Sequence, residues 1–187
     1  MKSFRRHLEE ATATPVRGRI YCDMDGVLVD IIAGIAKIDG LTPEQVAKFR
    51  KDNDAFDAHL TARKKYYDAE HPHIFQHLPW LRDGKQLWSY IARFDPWILS
   101  AHTRNWQPNC KADKLKWIDT HLSPKPTKTH LVLRADKRLH ATTNGVANVL
   151  IDDLKTNIRE WEKDGGIGIL HVSAAKTIAQ LKKLGYK

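Results

Sequence analysis

The chain has 187 residues, of which 42% are hydrophobic; this suits one packed domain with a small insertion and argues against intrinsic disorder. Its 31 basic and 22 acidic residues give a net charge of +9, but the lysines and arginines are scattered, which favours a generally basic surface over a dedicated nucleic-acid groove. Residues 1–14 lack the apolar core of a signal peptide, no stretch resembles a membrane span, and Cys22 and Cys110 make no disulfide framework. We therefore expect a cytoplasmic protein without membrane contact.

The first 80 residues are predicted to be mostly helical. Ser3 to Ala13 has the spacing of a short amphipathic helix, and residues 1–18 are assigned as an N-terminal extension. Ile20 to Cys22 is an apolar run typical of a buried strand in a parallel sheet. Residues 30–80 are predicted to form a helical insertion, because Thr42-Pro43-Glu44-Gln45 is a strong helix start and no segment there alternates like a strand.

The remainder of the chain alternates between strands and helices. Strands are predicted at 97–99, 130–133, 146–151 and 167–172, and helices at 85–94, around 115–122, at 157–163 and at 174–184. This alternation predicts an α/β fold, a Rossmann-like three-layer sandwich with a mostly parallel sheet. The core then comprises residues 19–29 and 81–187, and the small helical cap, residues 30–80, is inserted after the first strand.

Two carboxylates, Asp23 and Asp25, directly follow the first strand. Residues two apart in an extended chain point the same way, and Gly26 permits a sharp turn away from the strand. Ligands of open α/β sheets bind beyond the carboxyl ends of the strands, where a hard cation such as Mg²⁺ or a shared proton would relieve the repulsion between the two acids. One acid then suits a nucleophile and the other an acid/base, although two Asp residues that merely cap a turn are the alternative.

Two further predicted strands end in polar residues. Ser100 follows the second strand, and Asp152 and Asp153 follow the fourth. Three such strand ends in one α/β chain predict a single site, in which Asp152 joins Asp23 on Mg²⁺ and Ser100 donates a hydrogen bond to a phosphoryl oxygen. Lys114, at the start of the following helix, is placed to supply the fixed positive charge that a phosphoryl group needs.

These motifs, in this order, resemble those of the haloacid dehalogenase superfamily of phosphohydrolases. The first motif matches Asp23-Met24-Asp25-Gly26-Val27, the second Ile98-Leu99-Ser100, and the fourth Leu150-Ile151-Asp152-Asp153. Within the superfamily the chain is most similar to the 5′(3′)-deoxyribonucleotidases. That similarity rests on the Asp-Met-Asp-Gly-Val-Leu opening, the cap inserted after it, the pattern of the helix over Cys110–Ile118, and Asp136-Lys137 before the paired aspartates.

The resemblance implies an aspartyl-phosphate mechanism. Asp23 would be the nucleophile, and Asp25 would protonate the leaving oxygen and then activate water. Mg²⁺ would be bound by Asp23, the backbone carbonyl of Asp25, and Asp152, with support from Asp153. The phosphate-binding residues would be Ser100, Ala101 and Lys114.

Two features leave parts of this assignment open. Lys137 competes with Lys114 for the role of the site lysine, and we favour Lys114 because it lies on the helix after the second strand end. The chain has Ser100-Ala101-His102 where the nucleotidases usually have Thr-Ser-Pro, which weakens the substrate assignment.

The expected activity is hydrolysis of a small phosphorylated substrate, a 5′ or 3′ deoxyribonucleoside monophosphate. A polynucleotide end-processing phosphatase and a non-catalytic binding module on the same fold are the alternatives.

Five rings of the insertion either line a substrate pocket or build the core of the cap, and Trp106 either stacks on a base or packs. The five rings are Phe49, Phe56, Tyr66, Tyr67 and Phe75.

Overall fold

A computed structural model describes residues 18–103 and 106–187. The helix predicted over Ser3–Ala13 lies outside these residues, as do Arg104 and Asn105 in the loop after the second strand. No helix in the described part of the chain combines the length and the apolar character needed to cross a membrane.

Five parallel strands form the central sheet. The described residues contain seven strands in all, which are, in chain order, β1 (Ile20–Cys22), β2 (Trp97–Ala101), β3 (Thr129–Val132), β4 (Thr142–Thr143), β5 (Val146–Ala147), β6 (Val149–Asp152) and β7 (Ile167–Leu170). The sheet order is β3-β2-β1-β6-β7, with β1 at the centre, whereas β4 and β5 form a separate antiparallel hairpin. The predicted fourth strand, 146–151, is therefore divided, and only its second half belongs to the sheet.

Helices cover both faces of this sheet. They are α1 (Ile31–Asp39), α2 (Pro43–Phe49), α3 (Asn53–Glu70), α4 (Gly84–Ile91), α5 (Cys110–His121), α6 (Lys155–Lys163) and α7 (Ala174–Lys183), with 3₁₀ helices at Ile74–Gln76, Ala92–Phe94 and Arg134–His140. Because successive strand residues point to opposite faces, Ile20 and Cys22 pack with Trp117 of α5, while Tyr21 packs with Trp161 of α6. The predicted α/β sandwich with a mostly parallel sheet is confirmed.

The segment between β1 and α4 is helical in the structure, as the sequence predicted. Thr42 starts α2 with a capping box, in which its side chain and that of Gln45 each bond the other's backbone. Val29 and Trp80 form an antiparallel bridge, so the two ends of the inserted segment lie side by side. On this arrangement we propose to treat residues 30–80 as one cap.

The cap has a polar cluster of its own around Asp39. The side chain of Asp39 is 3% exposed and accepts hydrogen bonds from Tyr67 Oη at 2.5 Å and from Arg63 Nε at 3.1 Å; His59 Nε2 lies 2.6 Å away. Burial and the adjacent Asp39 carboxylate raise the pKa of Tyr67 above its ordinary value, so this hydroxyl stays protonated. These contacts tie α1 to α3 and make Tyr67 a structural residue of the cap.

Asn148, between β5 and β6, joins the hairpin to the sheet. It is 1% exposed; its Oδ1 accepts a hydrogen bond from the Arg19 amide at 2.9 Å, and its Nδ2 donates to His140 O and Thr143 Oγ1, each at 2.9 Å. The strand predicted over 146–151 divides at this residue, where the side chain makes hydrogen bonds to groups outside the sheet ladder.

We expect Asn148→Ala to lower the free energy of unfolding by about 3 kcal/mol, because it leaves buried donors and acceptors without partners. Urea denaturation followed by circular dichroism measures the change. The control is Gln180→Ala, which removes an exposed amide from α7 and should change stability by less than about 0.5 kcal/mol. Equal losses in the two variants would show that the Asn148 hydrogen bonds contribute nothing specific.

Candidate active site

Three of the predicted site residues meet at one edge of the sheet. Cys22 lies opposite Ile151 in the parallel register of β1 and β6, so Asp23 and Asp152 leave the sheet at the same end. Ser100 stands in the neighbouring strand β2 and is fully buried. The structure therefore brings together the strand ends that the sequence singled out.

The chain turns sharply after Asp23. Met24 O accepts hydrogen bonds from the amides of Leu28 and Val29, each at 2.8 Å, and Gly26 has a φ of 73°. A Cβ atom at position 26 would lie 2.0 Å from Asp153 Oδ2. Glycine is thus required twice at this position, once by the left-handed backbone and once by the close approach of a site carboxylate.

Lys137 lies between the first and fourth motifs. Its Nζ is 2.8 Å from Asp23 Oδ2 and 2.7 Å from Asp152 Oδ2, and the residue is 2% exposed. Burial alone would lower the pKa of Lys137, but the charges of the two carboxylates outweigh this effect and raise it above the ordinary value. Lys137, which the sequence analysis ranked below Lys114, is therefore the lysine in direct contact with Asp23, and it stays charged.

Lys114 binds the other acid of the first motif. Its Nζ donates to Asp25 Oδ2 at 2.5 Å, to Ser100 Oγ at 2.9 Å and to Ala101 O at 2.7 Å, and the residue is 1% exposed. All three donors of the ammonium group are engaged. The second oxygen of that carboxylate, Asp25 Oδ1, is buried and has no hydrogen-bond partner among the described residues.

Asp23, Asp152 and Asp153 form a cluster of carboxylates. One oxygen from each lies within 4.8 Å of the others. Burial, followed by the charges of its neighbours Asp23 and Asp152, raises the pKa of Asp153 to about 8; burial and the charge of Asp23 raise that of Asp152 to about 6, although Lys137 opposes the rise. Three close oxygen donors with excess negative charge fit a hard divalent cation such as Mg²⁺. Asp153, expected only to support the metal, belongs to this cluster, whereas the carboxylate of Asp25 does not.

A cavity of about 480 Å³ lies between this edge of the sheet and the cap. The core contributes Lys137 and three of the site carboxylates, and helix α3 contributes Phe56 and Leu60; the three carboxylates are those of Asp23, Asp25 and Asp153. Of the five cap rings considered from the sequence, Phe56 lines the cavity, while Tyr67 and Phe75 make edge contacts with Trp106, at centroid distances of 6.2 and 5.7 Å. Trp106 therefore packs against the cap.

Three further polar residues at the site went unrecognised in the sequence. Arg50 lines the cavity and pairs with Asp30, the N-cap of α1, at 2.6 Å. Arg134 also lines the cavity, and Asn157 donates to both oxygens of Asp152 at 3.0 Å. The only signal for Asn157 was its place in the first turn of the helix that follows Asp152; nothing in the sequence distinguished the two arginines from surface residues.

The sequence matches no protein-family profile and no curated protein. In structure it is similar to L-2-haloacid dehalogenase from Xanthobacter autotrophicus, solved with chloropropionic acid covalently bound, at a TM-score of 0.54 and 11% identity over 81% of this chain and 76% of that one. It is also similar to a hydrolase from Streptococcus pneumoniae TIGR4, at a TM-score of 0.52 and 14% identity over 90% and 97% of the chains. At these identities the similarity shows a shared fold.

We expect Mg²⁺ to raise the melting temperature more at about pH 9 than at about pH 6, because protons compete with the cation for Asp153. The pKa of Asp153 is raised from 3.8 to about 8 in the folded chain, so between these values the folded state holds a proton that the unfolded state has lost. Without metal, this residue therefore makes stability fall as pH rises through that window.

Differential scanning fluorimetry in EDTA and in Mg²⁺ measures both effects. Asp153→Asn should remove the part of the pH dependence of stability in EDTA that Asp153 causes. It should also reduce the rise in melting temperature that Mg²⁺ produces. Asp119→Asn, which alters an exposed acid paired with Lys125, should change neither. Equal Mg²⁺ increments at the two pH values would count against a metal site that includes Asp153.

Proposed function

We propose that this protein is a Mg²⁺-dependent phosphomonoesterase of the haloacid dehalogenase superfamily that hydrolyses a nucleotide through an aspartyl-phosphate on Asp23. The observation that carries the proposal is the pairing of two acids with two buried lysines at one sheet edge. Asp23 is held by Lys137 and Asp25 by Lys114, next to a carboxylate cluster that fits Mg²⁺.

In the first step, an Asp23 carboxylate oxygen attacks phosphorus and the bond from phosphorus to the ester oxygen breaks. Asp25 donates a proton to the leaving oxygen. Because Lys114 occupies Asp25 Oδ2, we assign this proton to Oδ1, which has no partner among the described residues. In the second step Asp25 Oδ1 takes a proton from water, the water oxygen attacks phosphorus, and Asp23 is released with inorganic phosphate.

The phosphoryl oxygens need positive charge and hydrogen-bond donors in both steps. Around the two acids, Lys137 can supply both charge and a donor, the Ser100 hydroxyl can supply a donor, and Lys114, whose three donors are engaged, supplies charge. Mg²⁺, held by Asp23, Asp152 and Asp153, would add Lewis-acid stabilisation of the same charge. The backbone carbonyl of Asp25 stays a predicted further ligand.

The site supports phosphate-ester hydrolysis over the displacement of halide from a haloacid. Halide is a weak base that leaves carbon without a proton, whereas an alkoxide leaving group needs an acid such as Asp25. Asp152 and Asp153, the two carboxylates clustered with the nucleophile, would repel the carboxylate of a haloacid, whereas together with Asp23 they fit a cation that would offset the charge of a phosphate.

The cavity supports a mononucleotide-sized substrate. Its volume of about 480 Å³ lies within the range of small-molecule sites, and Phe56 and Leu60 give it an apolar wall suited to a ring. Arg50 and Arg134, which would otherwise attract a polyanion, are paired with carboxylates. A polynucleotide end-processing phosphatase is the second candidate, and a steep loss of substrate affinity with rising salt would identify it.

We expect Asp23→Asn to lower hydrolysis of 4-nitrophenyl phosphate and of deoxynucleoside monophosphates by at least about 10³-fold, because an amide does not form the acyl phosphate. Phosphate release in Mg²⁺ measures the rates, with sugar phosphates and a 3′-phosphorylated oligonucleotide in the same screen, and chloride release measures any turnover of 2-chloropropionate. Asp119→Asn serves as a control away from the site. Turnover by Asp23→Asn within about 10-fold of the natural chain would eliminate Asp23 as the nucleophile.

Phe56 and Phe49 provide a matched test of the cap. The two rings are 7% and 8% exposed and lie 5.4 Å apart, but only Phe56 of this pair lines the cavity. We expect Phe56→Leu to lower kcat/KM for the nucleotide by up to about 10-fold, and Phe49→Leu to stay within about 2-fold. Steady-state kinetics, with unfolding curves for both variants, measure this. If kcat/KM fell equally in the two variants, in proportion to their loss of stability, both rings would be packing residues.

A further inference from the structure

Asp152 is held by an unusually complete set of hydrogen bonds. The residue is fully buried; Lys137 Nζ lies 2.7 Å from Oδ2, the Leu154 amide donates to Oδ1 at 2.9 Å, and Asn157 Nδ2 lies 3.0 Å from both oxygens. Asn157 is 3% exposed, so water does not readily replace its amide. The orientation of the Asp152 carboxylate therefore depends on which way the Asn157 side chain points.

Arg134 fixes the direction of the Asn157 amide. Its Nη1 donates to Asn157 Oδ1 at 3.1 Å and also to Glu160 Oε2 at 2.9 Å, while its Nη2 donates to Glu160 Oε1 at 3.2 Å. A guanidinium is only a donor and an ionised carboxylate only an acceptor. Asn157 must therefore present its oxygen to Arg134 and its NH₂ to Asp152; the reversed amide would put two acceptors together on one side and two donors on the other.

We propose that Arg134 and Asn157 are positioning residues that hold the Asp152 carboxylate in the orientation in which it binds Mg²⁺. The inference rests on the proposed function for the identity of the cation. Residues that orient metal ligands in this way commonly change metal affinity by about 10–100-fold when they are removed. Arg134 acts at a distance, since it reaches Asp152 only through Asn157.

A purely structural role is the competing explanation, because Arg134 also joins its 3₁₀ helix to α6. Arg138 offers a matched comparison for that role. It lies on the same 3₁₀ helix, pairs with Asp164 just beyond α6 at 2.8 Å, and its side chain is 48% exposed, against 43% for Arg134. The described contacts connect Arg138 to neither Asn157 nor Asp152.

Isothermal titration of Mg²⁺ into the full chain, without substrate, tests the proposal. We expect Arg134→Leu to raise the Mg²⁺ dissociation constant by about 10-fold and Asn157→Leu by about 10–100-fold, with Arg138→Leu within about 2-fold. Arg134→Lys keeps a donor toward Asn157 and should restore most of the affinity. Melting temperatures in EDTA should fall in both variants, because each loses a surface ion pair, and should fall further in Arg134→Leu, which also leaves the buried Asn157 Oδ1 without its donor.

Equal Mg²⁺ affinity in Arg134→Leu and Arg138→Leu would overturn the positioning role, and this outcome needs no folded Asn157 variant. If the natural chain bound no Mg²⁺, that result would overturn the proposed metal centre and this inference together. Intact Mg²⁺ binding with the expected differences, but without phosphatase activity, would overturn the proposed function alone.

Discussion

The compensation of buried charge at the sheet edge is the constraint on which the site depends. Asp23 and Asp152 are almost inaccessible to solvent, and ionised carboxylates in such places are costly unless they are paired. Two buried lysines supply the pairing: Lys137 serves Asp23 and Asp152, while Lys114 serves Asp25. Among the described residues Asp153 has no ion pair with a lysine; burial, followed by the charges of Asp23 and Asp152, raises its pKa. A divalent cation would complete the balance.

The supporting elements can be understood from this requirement. Lys114 reaches Asp25 because α5 begins just after the loop that follows β2, and Lys137 reaches Asp23 because the 3₁₀ helix Arg134–His140 returns the chain toward the sheet edge after β3. The turn at Gly26 lets Asp153 approach the first motif. Each lysine thus comes from a connection between strands, and those connections keep the charges within reach of the strand ends.

Much of this arrangement follows from local sequence pattern. Asp23, Ser100 and Asp152 each stand at or beside the end of an apolar run, and parallel strands place such ends at one edge. The choice between Lys114 and Lys137 depended on how a short 3₁₀ helix folds back, which has no periodic signal. The division of the strand over 146–151 depended on Asn148, whose Oδ1 accepts a hydrogen bond from the amide of Arg19, far away in the sequence. Phe56 lines the cavity and Tyr67 does not, and this difference depended on how α3 is rotated over the core.

The two lysines also separate the chemistry of two acids that are neighbours in sequence. The Asp23 oxygens face a backbone amide and Lys137, and these contacts orient the carboxylate for the nucleophilic role that we propose for it. Asp25 has one oxygen fixed by Lys114 and one with no partner among the described residues, an arrangement that suits the acid/base role that we propose for it. If the same lysine bound both acids, their environments would be alike and neither role would be favoured. Two separate lysines, placed by different connections of the fold, would therefore allow the Asp-x-Asp pair to take the two roles that we propose for it.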